Sequence, residues 1–325
     1  MRLQLLAVLL GSTYAMAGCT SGTAPNTHHQ GGPGAPTHPA GNLGFQIIGL
    51  AGRPFGLNVA ATGGLLVTEQ DLNQLAYLDS LGGSAGNFAV GRDPGDVVAT
   101  STGTAFVSGF NDGSVSVVDL PTNTIRQVVH VSRNNAYRLA LSKDESRLYV
   151  TSADGHLYTM NTASHVVTDS VSLLVFDGLT IDHAGTTLYA TASGTVWRID
   201  APGLTTARQA SLGCAARDVA LATDDSEVYV ACEDGSIAVL DPSSLSTKAV
   251  ISPPGAAPFG LAVSPDNAQL YVASSLTHTL TIIDRATRTV VKTLVLAGTP
   301  RRVVFNKLGT KAYVSNEGNW IDVIE

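Results

Sequence analysis

An all-β ring of seven like units is the fold class this chain predicts, and three features predict it. Short apolar runs recur at a nearly constant interval, the third run of each unit ends in an acid or its amide, and no window carries a helical period. The residue three places before the first aliphatic of each unit is Pro54, Pro94, Ala136, Phe176, Ala216, Pro258 and Pro300, spaced by 40, 42, 40, 40, 42 and 42 residues.

The first run of each unit is short and aliphatic, at 57–59, 97–99, 139–141, 179–181, 219–221, 261–263 and 303–305. A second run centres on tyrosine at 148–150, 188–190, 228–230, 270–272 and 312–314, with degenerate versions at 65–67 and 105–107. The third run alternates with a period of two, as strands do. It ends at Asp79, Asp119, Asn161, Asp200, Asp241, Asp284 and Glu325. Asp-Gly pairs at 112–113, 154–155 and 234–235 read as tight hairpin turns. A fourth, less regular strand is predicted at 126–131 and 289–296.

Four antiparallel strands per unit is the signature of a β-propeller blade. A blade apolar on both faces has to be covered on both, and only a closed ring does that for every blade. The seventh unit runs out at Glu325 after its third strand. The segment 45–50 (Phe-Gln-Ile-Ile-Gly-Leu) resembles a fourth strand and is expected to complete the last blade and close the ring. An open array would leave an exposed sheet edge, an association hazard.

The runs Tyr149-Val150-Thr151-Ser152, Tyr271-Val272-Ala273-Ser274 and Tyr313-Val314-Ser315-Asn316 resemble the Tyr-Val-Thr-Asn repeat family of seven-bladed propellers. Pro258-Phe259-Gly260-Leu261-Ala262-Val263-Ser264-Pro265-Asp266, ahead of Tyr271, does so too. The resemblance spans 45–325 and is weakest in the first two units. It implies exported or surface-layer-like proteins and, more distantly, lactonase-like or quinoprotein-dehydrogenase-like propellers. Its motif builds blades, so it implies no catalytic residue here.

Residues 1–18 read as a secretory signal, with Arg2, an apolar core at 3–10 and Ala15-Met16-Ala17-Gly18 before Cys19. Small residues before a cysteine resemble a bacterial lipoprotein box, so Cys19 is expected to be acylated and to anchor the chain to a membrane, in the cell envelope. Cleavage after Ala17 is the alternative. Residues 19–44 are expected to form a flexible tether, since 20–44 hold no charged Lys, Arg, Asp or Glu and are rich in Gly, Pro, Thr and Ser. Cys214 and Cys232 flank one predicted hairpin and are expected to form a disulfide, as export would permit.

With 19 basic and 26 acidic residues the chain is acidic, which argues against a general nucleic-acid surface; single-stranded nucleic-acid binding is the weakest of the functions considered. Catalytic templates are absent from the sequence: there is no Gly-x-Ser-x-Gly elbow, His-Glu-x-x-His helix or phosphate-cradling loop. No cofactor is expected, and a monomer is. His130, His156, His165 and His183 are placed in blades three and four, on outer strands or in turns.

The residue before the first aliphatic of each unit is Gly56, Asp96, Arg138, Gly178, Asp218, Gly260 or Arg302. Charge within an apolar motif suggests a polar ring at the channel mouth, with Asp96, Arg138, Asp218 and Arg302 recognising a small ligand or a protein. Inter-blade ion pairing, Asp96 with Arg138, is the competing expectation. A binding module is therefore the favoured function, with a lactonase-like or quinoprotein-like enzyme as the alternative.

Overall fold

The structure is a computed structural model, described over residues 45–173, 177–253 and 258–325. The signal, the tether, Cys19 and Phe176 lie outside the described residues. Seven four-stranded antiparallel sheets follow one another around a ring. Six blades are built in chain order, each from its inner strand outwards. The seventh takes its outermost strand from the other end of the chain. Phe45–Gly49 pairs antiparallel with Trp320–Ile324, with Phe45 opposite Ile324 and Gly49 opposite Trp320. The expected closure is thus present in full register.

The core sits between blades. Seven clusters of buried side chains are found among the described residues, each shared by two neighbouring sheets. The one at the seam joins Leu57, Leu65 and Val67 of blade one to Tyr313, Ile321 and Val323 of blade seven, with Ile48 and Leu50 packed against it. Two-sided burial is the reason a strand such as Ser114–Asp119 is buried along its whole length, whereas the outermost Thr124–His130 is largely exposed.

The repeated tyrosine bolts one blade to the next. Tyr149 Oη donates to the carbonyl of Ala201 at 3.2 Å, Tyr189 Oη to that of Pro242 at 3.0 Å, and Tyr229 Oη accepts from Arg285 Nε at 2.7 Å. In each case the partner lies just past the third strand of the following blade. A hydroxyl two places after that tyrosine, or after Phe106 in blade two, is a second bolt. Ser315 Oγ accepts from Arg302 N at 3.0 Å and donates to Phe55 O at 2.7 Å, and Ser108 Oγ bridges Asp96 N (2.9 Å) to Tyr137 O (2.6 Å).

A third device appears in the turn after the inner strands of blades three, five and six. Glu145, Asp225 and Asn267 hold left-handed φ angles of 57°, 57° and 63°. Each side chain accepts a backbone N–H from the preceding blade: Ser101 at 2.7 Å, His183 at 3.2 Å and Thr223 at 3.0 Å. Local turn geometry is thereby converted into inter-blade contact. Cys214 and Cys232 are joined in blade five, their Cα atoms 5.7 Å apart, at the end where the inner strand begins.

Candidate functional site

The inner strands converge on the ring axis, and six of the seven start at Ala or Pro, among them Pro54–Val59, Pro94–Ala99, Ala136–Leu141, Ala216–Leu221 and Pro258–Val263. Pro300–Phe305 does the same in blade seven, and Gly178–Ile181 serves blade four. Six of them carry a register shift directly after the first residue, whereas blade four does not. Such a bulge re-aims side chains. Two successive residues of each inner strand then serve the axis, one as a floor and one as a mouth.

The floor is made by Asp96, Arg138, Asp218 and Arg302. Arg138 Nη2 donates to Asp218 Oδ1 at 2.8 Å, Arg302 Nη1 to Asp218 Oδ2 at 2.8 Å, and Arg138 Nη1 stands 4.0 Å from Asp96 Oδ2. Asp218 therefore links blade five to blades three and seven, skipping four and six. Those skipped blades contribute Gly178 and Gly260, which have no side chain to intervene. At Gly178 a Cβ would also lie 2.8 Å from Val219 N, so the glycine permits close approach of blade five.

The expected polar ring is instead a chain of alternating charge whose groups face one another. Arg138, Asp218 and Arg302 are buried. The competing pair, Asp96 with Arg138, exists but is the longest link. The aspartates also hold backbone: Asp96 Oδ2 accepts from Leu139 N and Asp218 Oδ2 from Leu261 N, each at 3.1 Å. Burial pushes the pKa of both aspartates up, against the pull of Arg138. Among the described residues Arg302 Nε and Nη2 meet no hydrogen-bond acceptor; the Arg302 guanidinium carbon lies 5.3 Å from the Phe259 ring centroid and 5.9 Å from that of Phe55.

One residue earlier in each inner strand lies the mouth, which the sequence reading did not single out. Phe55, Tyr137, Phe259 and Arg301 cluster there: Phe55 meets Phe259 edge-on at 5.7 Å, and Arg301 stacks 4.3 Å from Phe259. On the other side of the mouth a cavity of about 290 Å³ is lined by Phe55, Asp93, Phe110, Tyr137, Asp177 and Arg217 with Gln70 and Ala153. These residues come from blades one to five. The missed signal was an aromatic or charged residue at this position, which an ordinary strand would have turned into the core.

The loop carboxylates near the mouth are occupied. Glu69 accepts from Gly52 N and Asp71 from Arg53 N, each at 2.7 Å; Asp112 takes Arg92 N at 2.8 Å; Glu317 pairs with Arg301 and Glu233 with Arg217. On the opposite face a groove of about 500 Å³ between blades two and three includes Arg126, Asp144, Glu145 and His165. Its charges are also committed: Asp144 to Ser142 and Ser146, Glu145 to Ser101, and Arg126 to Asp119. Among the histidines, His130 ends the outer strand of blade two (Thr124–His130), and His156 opens the third strand of blade three. The four do not converge: His156 pairs with Asp154 and His183 with Asp225.

No protein-family model and no curated protein matches the chain. Among solved structures, the β-propeller domain of Myceliophteria thermophila Cps50 (Swd1) is similar, with a TM-score of 0.74 at 14% identity, covering 84% of this chain and 96% of that one. At that identity the likeness concerns fold alone. Together with the seven sheets in a closed ring, it makes this chain a seven-bladed β-propeller.

Proposed function

We propose that this propeller is an exported binding module of the Tyr-Val-Thr-Asn repeat type, tethered to a membrane through an acylated Cys19 and engaging a protein or small ligand at its channel mouth. The carrying observation is the mouth cavity itself. Aromatic and charged side chains from five blades converge on one recess beside the buried charge chain of Arg138, Asp218 and Arg302, and a ligand would meet their walls there. The joined Cys214 and Cys232 support an oxidising setting.

Capture with the full chain, comparing wild type with Phe110→Ala, tests the mouth. A partner or ligand retained by wild type should be lost from the variant, and equal retention would sink the assignment. Cys19→Ser tests the tether: wild type should incorporate a labelled fatty acid and sediment with membranes, and the variant should do neither.

A further inference from the structure

The mouth cavity carries a chemical preference. Its aromatic wall is Phe110, Tyr137 and Phe55, with Phe110 edge-on to Tyr137 at 5.3 Å and Phe55 6.4 Å from Tyr137. Its charged lining is Asp93 and Asp177 against Arg217, whose guanidinium is already shared with Glu233. The cations around the cavity have carboxylates of their own or lie outside its lining: Arg138 is held by Asp218 at 2.8 Å, Arg301 by Glu317, and Arg53 acts on Asp93 from outside the lining. The lining itself thus sets two carboxylates against one committed guanidinium; burial pushes the pKa of both Asp93 and Asp177 up, against the pull of Arg53 on the first and of Arg217 and Arg138 on the second. Rings at this mouth already accept cations, since the Arg138 guanidinium carbon stands 5.1 Å from the Tyr137 centroid.

We infer that the cavity between Phe110, Tyr137, Asp93 and Asp177 binds an organic cation, an alkylammonium group carried either by a free small molecule or by a lysine of a partner. At about 290 Å³ the space suits such a group and is too small for a large cofactor. Carboxylates would supply charge compensation and the rings a polarisable wall, a combination that a neutral molecule of the same shape cannot exploit. This inference rests on the mouth being the binding face.

The test uses the full chain and three probes measured by calorimetry or ligand-observed NMR: choline, its neutral isostere 3,3-dimethylbutan-1-ol, and N-acetyl-lysine methylamide. At least one cation should bind about tenfold more tightly than the alcohol. Phe110→Ala and the isosteric Asp177→Asn should each weaken that cation severalfold, with an unchanged melting temperature for Asp177→Asn. Preference for choline assigns a free ligand, and preference for the lysine derivative assigns a partner's side chain. Equal binding of the alcohol, no binding of either cation, or cation binding indifferent to both variants overturns the inference. If the cations fail while Phe110→Ala still abolishes partner capture, only the cation class falls; if capture is also unaffected, the mouth assignment falls with it.

Discussion

Asp218 and Asp241 belong to the same blade, and the fold treats their identical side chains in opposite ways. Asp218 lies on the inner strand, buried, between Arg138 and Arg302 from blades on either side. Asp241 lies just past the third strand Ile237–Leu240, near solvent, where its Oδ1 accepts from Ser243 N at 3.0 Å and Ser244 N at 2.8 Å. Burial pushes the first pKa up; backbone and hydroxyl donors, with Ser244 N foremost, pull the second well below the carboxylate range. The first is a departure from the repeat and joins distant blades. The second is the repeat; it shapes a turn of its own blade, with Lys248 Nζ 3.8 Å from its Oδ2.

Breaking the axial chain should have the largest effect. Asp218→Ala leaves two buried guanidinium groups without their shared carboxylate and should cost about 3–5 kcal/mol in denaturant unfolding. Replacing Arg138, Asp218 and Arg302 together by Met, Leu and Met should cost far less, because a buried ion chain gains little over apolar packing. If the single change were as mild as the triple, the chain would not be a cross-blade link.

Asp322 sharpens the contrast, being buried like Asp218 but served only by neutral donors, Trp320 Nε1 at 2.9 Å and Asn316 Nδ2 at 3.0 Å. Burial pushes its pKa up to about 7 from 3.8. Between those two values the folded chain holds a proton that the unfolded chain has released, so stability falls as pH rises and levels off above about 7. The total fall attributable to this group is about 4 kcal/mol, at 1.4 kcal/mol per pH unit. Unfolding titrations from pH 4 to 8 should show that slope in wild type and lose it in Asp322→Asn.

A smaller effect, about 2 kcal/mol, is expected for Ser315→Ala, which strands the buried Arg302 N–H and Phe55 carbonyl. Ser274 is the built-in control: equally buried, its hydroxyl has no partner among the described residues, so Ser274→Ala should change stability by less than about 0.5 kcal/mol. Thermal melts of the two variants side by side decide whether the bridging hydroxyl or the mere presence of a serine matters.

The same contrast explains what the sequence could disclose. Blade count, strand order and the closing role of Phe45–Gly49 follow from spacing and alternation, because each depends on neighbours in the chain or on the ring's need to cover every face. Asp96, Arg138, Asp218 and Arg302 stood out as charges in an apolar motif, but their partners did not. Asp218 meets residues 80 and 84 positions away, a pairing that no local pattern specifies. Phe55, Tyr137 and Asp177 were hidden by the inner-strand bulge or the strand boundary, which breaks the simple two-residue alternation. The latch residues Glu145, Asp225 and Asn267 read as ordinary turn formers; only the closed ring shows that they reach the blade before them.

The smallest effect belongs to Asp241, and blade three supplies its control. Asn161 occupies the equivalent place and makes the same turn without a charge, its Oδ1 accepting from Ala163 N at 3.0 Å and Ser164 N at 2.8 Å. Asp241→Asn should therefore preserve the turn at neutral pH, whereas Asp241→Ala should lower the melting temperature slightly by freeing two N–H groups. The charge has a separate signature in acid. A carboxylate with a depressed folded pKa lends stability that is present above its unfolded value and is lost as pH falls toward the folded one. Asp241→Asn should flatten that acid limb while leaving the neutral-pH midpoint in place. If the asparagine instead lowered the midpoint as much as alanine does, charge would be holding this turn, and the equivalence with Asn161 would fail.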